Sequence, residues 1–290
     1  MKLDNELRKK VFIAQRNEIT EHLVYDKISR LSWNGHNKSI LKKISEDELK
    51  HYNIWKKLTK EDVSPYRLKI FFYLLVIRLF GLTFGLKLME RGEKRAQLSY
   101  KGIYKTIPSA SKIIKDEYMH EKKLIDLLQE DKLKYMGSIV LGLNDAIIEL
   151  TGVFVGLTLV LQSTRLIAVT GSITGIAASL SMAASEYLST RSEKSDKNPL
   201  KSSFYTGLAY LFVVIILALP YVILTNVYFS MMIMIINAVI IILIFTYYLS
   251  IAQDLPFKKR FTEMLLISFG IALLTFIVGY AVRIFFKIGV

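Results

Sequence analysis

From residue 137 onward the chain consists of long apolar runs separated by short polar breaks. Stretches at 137–161, 166–188, 204–225, 228–252 and 262–286 each supply the roughly 20 mostly apolar residues that a helix needs to cross a hydrocarbon core. A chain of this kind cannot bury all its apolar surface in one water-soluble globule, so the pattern predicts five membrane spans. The charge distribution agrees. Residues 1–135 hold 29 Lys and Arg with 18 Asp and Glu, whereas residues 136–290 hold only 10 and 7. The expected organisation is a polar domain over 1–135 followed by a membrane domain over 136–290.

Five spans put the two ends of the membrane domain on opposite sides, and the Lys/Arg bias sets the direction. With the basic half in the cytoplasm, the inner breaks carry Arg191, Lys194, Lys197, Lys201, Lys258, Lys259 and Arg260, against Arg165 in the outer ones. The N-terminal domain is therefore expected in the cytoplasm and the C-terminus across the membrane. The N-terminus also lacks the short apolar core of a secretory signal. Pro220 falls inside the third span, where it should kink the helix. Gly152/Gly156 and Gly171/Gly175 have the small-xxx-small spacing that lets membrane helices approach closely.

The polar half reads as helices. Leu7, Val11, Ala14, Ile19, Leu23 and Ile28 recur at helical spacing up to Asn34-Gly35, and a second helix is predicted over about 37–58. The last helix of this half is predicted over about 109–131, entered through Pro108-Ser109. Residues 68–86 are largely apolar but carry Lys69 and Arg78, and an Arg near the centre of a span is costly. They are read as part of one long helix whose first part rests on the membrane surface or on a partner. The whole chain is thus expected to be all-α.

Cysteine is absent, which excludes disulfides, thiolate metal sites and a Cys nucleophile. All four histidines lie in the polar half, and two of them have carboxylate partners. Glu48 and His51 are three apart, as are Glu117 and His120, so each pair shares one helix face. The first and third helices offer Glu18 and Glu93, each seven residues before a tyrosine (Tyr25 and Tyr100). One Glu from each of two helices plus Glu-x-x-His from the other two is the ligand set of a di-iron carboxylate bundle. Hard carboxylate oxygens bridge two cations, and neutral imidazoles complete their coordination. Glu21 and Glu90 lie one turn from the assigned ligands and can share or replace their role. His22 and His36 lack such partners and are read as surface residues. With these residues the half resembles rubrerythrin-type ferritin-like domains. The resemblance implies a di-iron or related site, able to bind ferrous iron and open to a ferroxidase activity.

The first two spans carry charge. Asp145 and Glu149 are four apart on span one, as are Met182 and Glu186 on span two. At about 1.5 Å per residue, Asp145 lies about 13 Å and Met182 about 10 Å from the cytoplasmic ends of their spans. Asn144, Asp145, Met182 and Glu186 are therefore expected around one ion, with Glu149 about a turn deeper. Carboxylates with a thioether suit Fe²⁺ or Mn²⁺ better than Ca²⁺ or Mg²⁺.

Gly142-Leu-Asn-Asp145 and Ala-Ser-Leu-Ser-Met182-Ala-Ala-Ser-Glu186-Tyr resemble the vacuolar iron transporter family, in particular a subgroup joined to a ferritin-like domain. The resemblance implies a homodimer exchanging Fe²⁺ or Mn²⁺ for protons, with Asp145 and Met182 in the ion path. Two departures stand out. Thr174 occupies the position of a second-span Glu in the plant and protist type, and the break between spans two and three is short and basic. A competing reading is a membrane-tethered ferroxidase or iron sensor, for which five spans with stacked charges are excessive. A nucleic-acid partner is not expected, because the basic charge is spread over all the helices rather than gathered in a stripe.

Overall fold

The computed structural model describes residues 5–31, 35–106, 113, 115–117, 119, 120, 135–193 and 197–286, excluding the side chains of 95–106. All regular structure among the described residues is helical. The chain divides into two compact units, Met1–Glu130 and Asp131–Val290.

The first unit contains α1 (Asn5–Leu31), α2 (Gly35–Thr59), α3 (Arg67–Phe80) and α4 (Leu82–Thr106), with further helical residues between 113 and 120. The three-residue link between α1 and α2 makes them hairpin neighbours, and they pack along each other. Two apolar clusters form the core. One joins Val24, Tyr25 and Ile28 to Leu41 and Ile44, Ile70 and Tyr73, Leu86 and Met89. The other joins Val11 and Ala14 to Trp55 and Ile113. Glu18 and Glu21 on α1, and Glu48 and His51 on α2, fall between the two clusters, so these buried polar residues have apolar packing on either side along both helices.

The stretch 68–86 is not one long helix. Gly81 adopts φ 94°, a left-handed value that an L side chain resists. It ends α3 by donating its N–H to the Ile77 carbonyl at 2.9 Å, and α4 starts afresh at Leu82. His22 also departs from expectation. It is half-buried, and its Nδ1 lies 2.7 Å from the Ser45 carbonyl and 3.0 Å from Ser45 Oγ, tying α1 to α2. His36 is exposed.

The second unit holds α5 (Met136–Leu161), α6 (Thr164–Ser192), α7 (Pro199–Ile223), α8 (Val227–Ala252) and α9 (Phe257–Phe285). All five are long and apolar enough to cross a membrane. Their cores match the expected runs, but several ends extend further. Asn198 caps α7 by accepting from the N–H groups of Leu200 and Lys201, ahead of Pro199, so the helix begins before the apolar run does. The outward faces are apolar, as at Val169, Ile173 and Leu180 on α6 and Leu266, Leu273 and Ile277 on α9. That inversion of the soluble pattern suits a lipid environment.

Helix α5 is the hub, touching each of the other four. Its Gly152 faces Ile271 and Thr275 of α9, and a Cβ on Gly279 would come within 2.9 Å of the Gly156 carbonyl. Gly171 abuts Phe154, and Gly175 abuts Val214 and Leu150, so both glycine pairs mark close helix approaches. Pro220 lies within α7 and has no N–H for the carbonyl four residues earlier. That carbonyl, of Ile216, instead accepts from Asn237 Nδ2 of α8 at 3.2 Å.

Candidate metal cluster and charged spans

The helical period brings the four-residue motifs of the first unit to one buried place. Ligand atoms of Glu18, Glu48, His51 and Glu117 all lie within 4.8 Å of one another. His51 Nδ1 is 3.4 Å from Glu48 Oε2, 3.6 Å from Glu18 Oε2 and 3.6 Å from Glu117 Oε1. His120 Nδ1 is 3.2 Å from Glu48 Oε1 and 3.9 Å from Glu117 Oε2. Glu48 and Glu117 therefore each present one oxygen to one imidazole and the second oxygen to the other. Both carboxylates thus lie between the two imidazoles.

The outer nitrogens are held crosswise. His51 Nε2 meets Asp116 Oδ2, and His120 Nε2 meets Asp47 Oδ2, both at 3.3 Å. Each aspartate precedes the glutamate of its own motif and serves the histidine of the other. Such contacts fix the ring and its tautomer, leaving Nδ1 for a ligand. Trp55 Nε1 donates to Glu18 Oε1 at 3.0 Å, fixing that carboxylate and leaving Oε2 toward His51. Sequence reasoning passed over Asp47, Asp116 and Trp55. The sign available was Asp-Glu-x-x-His spelled twice, at 47–51 and 116–120.

The electrostatics require a cation or protons. Glu18 Oε2, Glu48 Oε2, Glu93 Oε1, His51 Nδ1 and His120 Nδ1 are buried without a hydrogen-bond partner among the described residues, a costly condition for groups of this polarity. Burial, reinforced by the Glu48 charge and opposed by His51, pushes the Glu18 carboxyl up to about 7. Burial and the neighbouring carboxylates push Glu93 well above its ordinary range. Burial alone would lower His51 and His120, but the surrounding carboxylates outweigh it and raise both. Oxygen and imidazole donors converging with orphaned atoms fit a divalent metal ion.

The two substitute carboxylates are placed differently. Glu21 is buried and raised by that burial, partly offset by Lys69, whose Nζ lies 3.4 Å away. Glu90 pairs with Lys94 at 2.8 Å. Each thus has a lysine of its own.

In the second unit Asp145 and Glu149 lie on one face of α5, half-buried. The Tyr210 hydroxyl of α7 donates to Glu149 Oε2 at 2.6 Å. Gly142, one turn before Asp145, lets α7 close in, because a Cβ there would run into the Thr206 carbonyl. Glu186 of α6 accepts from Ser138 at 2.6 Å and Thr190 at 3.4 Å. Ser138 precedes Asp145 by about 10 Å of helix, so Glu186 is engaged at the end of α5 rather than beside Asp145. Met182 is half-buried against the apolar core, and Asn144 is half-buried on α5. Tyr210 escaped the sequence reading. Its only sign was a hydroxyl in an apolar run, which on burial must find an acceptor.

No curated protein and no solved structure matches the chain. Residues 136–196, covering α5, α6 and the start of the following link, match the model of the VIT family, which supports transport of metal ions across a membrane by this unit.

Proposed function

We propose that the protein exports Fe²⁺, Mn²⁺ or both from the cytosol in exchange for protons, with the first unit as a cytosolic di-metal capture domain of ferritin-like design. The observation that carries this reading is the pairing, in one chain, of a buried Glu/His cluster with intramembrane carboxylates inside the VIT-matched stretch.

In the capture domain Glu18, Glu48, His51, Glu93, Glu117 and His120 hold the cargo. Glu48 and Glu117 bridge, the histidines are aimed by Asp116 and Asp47, and Glu21 and Glu90 are left to their lysines. Iron bound there would supply redox chemistry toward oxygen, which leaves room for a ferroxidase function. In the membrane Asp145 and Glu149 alternate between a neutral acid that tolerates an apolar surround and an anion that holds the cation. Met182 and Asn144 contribute softer and neutral donors on the path, and Glu186 stands nearer its cytoplasmic mouth. The Lys/Arg bias sets the first unit in the cytoplasm and the C-terminus on the far side, and the outward apolar faces of α6 and α9 suit a homodimer.

The test is uptake of Fe²⁺ and Mn²⁺ by vesicles holding the purified chain under an imposed pH gradient. Uptake should follow the gradient and be lost in Asp145→Ala. Full uptake by Asp145→Ala would overturn the assignment.

A further inference from the structure

Helix α3 turns one apolar face inward and a second one outward. Ile70, Tyr73 and Val76 pack on the unit's core. Leu68, Phe71, Phe72, Leu75 and Leu79 lie on the opposite side, and Leu68, Phe71 and Leu79 are 86, 66 and 63% exposed. Five large apolar residues at helical spacing form a contiguous patch, unlike the scattered exposed apolars of an ordinary soluble surface. Beside them, Ile28 and Leu31 of α1, Leu74, Leu75 and Ile77 of α3, and Leu82 line a hollow of about 650 Å³ with Arg78 at its edge.

The charges of α3 select the occupant. Arg67, Lys69 and Arg78 are its only ionisable residues of formal charge, with no acidic residue over 67–80. Lys69 is turned to Glu21, while Arg67 and Arg78 are exposed near the two ends of the apolar face. Leu and Phe on one face with flanking arginines is the make-up of a helix that lies in a membrane interface, and arginines there are drawn to anionic headgroups. Fourteen residues give a rod of about 21 Å, too short to cross a core of about 30 Å. A helix of this length and composition lies along a bilayer rather than through it.

We infer that the outward face of α3 seats in the surface of an anionic bilayer, with Arg67 and Arg78 taking lipid phosphates and the hollow beside Arg78 receiving acyl chain. A bilayer is within reach of any chain that also carries five spans, and this docking does not depend on what those spans carry. The other occupants of such a face are a second copy of the chain or its own second unit. Both are protein, and the experiment separates them from lipid.

The absence of cysteine lets single nitroxide labels be placed on the full chain at Phe71→Cys, Leu75→Cys and Leu79→Cys, with Lys57→Cys on α2 as the aqueous control. All four side chains are exposed, so the substitutions spare the core. The protein is reconstituted in phosphatidylcholine vesicles with and without phosphatidylglycerol. Collision with oxygen should exceed collision with a water-soluble nickel chelate at 71, 75 and 79, and the order should reverse at 57. The oxygen excess should shrink without phosphatidylglycerol and in the Arg67→Glu/Arg78→Glu variant. Nickel access at the three positions equal to that at 57 overturns the proposal, since the face is then in water. Exclusion of both reagents overturns it too, because protein then covers the face. An oxygen excess indifferent to both phosphatidylglycerol and the arginines overturns the assignment of anionic lipid.

Discussion

Asp47 lies four residues before His51 on α2, so a reading of the helix alone would pair the two. In the structure it holds His120 instead, and Asp116 holds His51. Replacing Asp47 with Asn keeps the shape but removes the charge that orients the His120 ring. Loss of such an outer partner lowers metal affinity about 10–100-fold, or about 1.4–2.8 kcal/mol. Asp47 also pairs with Lys50 at 2.7 Å, an exposed contact worth about 0–1 kcal/mol, and Lys50→Ala measures that share. Anaerobic titration calorimetry with Mn²⁺ on the full chain in detergent reads the affinity, with Asp145→Ala in every variant so that the spans add no heat. In a double-mutant cycle, Asp47→Asn should cost nothing further once His120 is Ala. It should keep its full cost when His51 is Ala, and Asp116→Asn should behave the opposite way. An Asp47→Asn effect that vanishes with His51→Ala and survives His120→Ala would refute the crossed arrangement.

Three further outcomes are expected. The metal-free first unit should lose stability as pH rises from about 4.5 to about 7. Over that window native Glu18 keeps a proton that the unfolded chain has released, a difference on the order of 3 kcal/mol. The raised histidines add to the same trend, since their charge stabilises below the unfolded value of about 6.5 and that gain is lost as pH climbs toward the folded one. Both tryptophans, Trp33 and Trp55, lie in the first unit, so denaturation followed by their fluorescence reports it alone, and added Mn²⁺ should abolish the loss. Asn237→Leu should destabilise the membrane unit by about 1–3 kcal/mol by orphaning the Ile216 carbonyl. Pro220→Ala should restore most of that loss by returning the backbone N–H, as read by thermal aggregation in detergent. Tyr210→Phe removes one hydroxyl hydrogen bond to Glu149, worth about 1.5–3 kcal/mol. It should lower vesicle uptake about 10-fold or more while leaving Mn²⁺ binding by the first unit unchanged; unaltered uptake would detach Tyr210 from the path.

What could be read from the sequence followed from periodicity. Runs of about 20 apolar residues have one stable fate in a bilayer, so the five spans were visible. Their ends were less so, since Asn198 and Pro199 start α7 by capping chemistry that hydropathy does not register. Glu-x-x-His is three residues on one helix, so both halves of the cluster were legible. The crossed aspartates were not, because which helix faces which is decided by packing, and Asp47 beside Glu48 looks like surface charge. The apolar continuity of 68–86 hid the break at Gly81, where backbone conformation outweighs composition. Glu186 was expected with Asp145 from depth along the helix, but Ser138 and Thr190 supply hydroxyls that engage it nearer the end of α5.

The exchange of aspartates between the two motifs also bears on how the first unit comes together. A hairpin of α1 and α2 carries Glu18, Glu48 and His51, yet the group that aims His51 arrives only with the segment around Asp116. The imidazole of that segment, in turn, is aimed only by α2. Each half lacks the group that aims its own histidine until the other has docked, so a bound cation rewards the completed assembly more than either half alone. Since such a cation binds the native form alone, it adds its binding free energy to the folded state. On the proposed function the metal-loaded unit should therefore be harder to unfold, and slower to be cut by a protease, than the same unit without the ion.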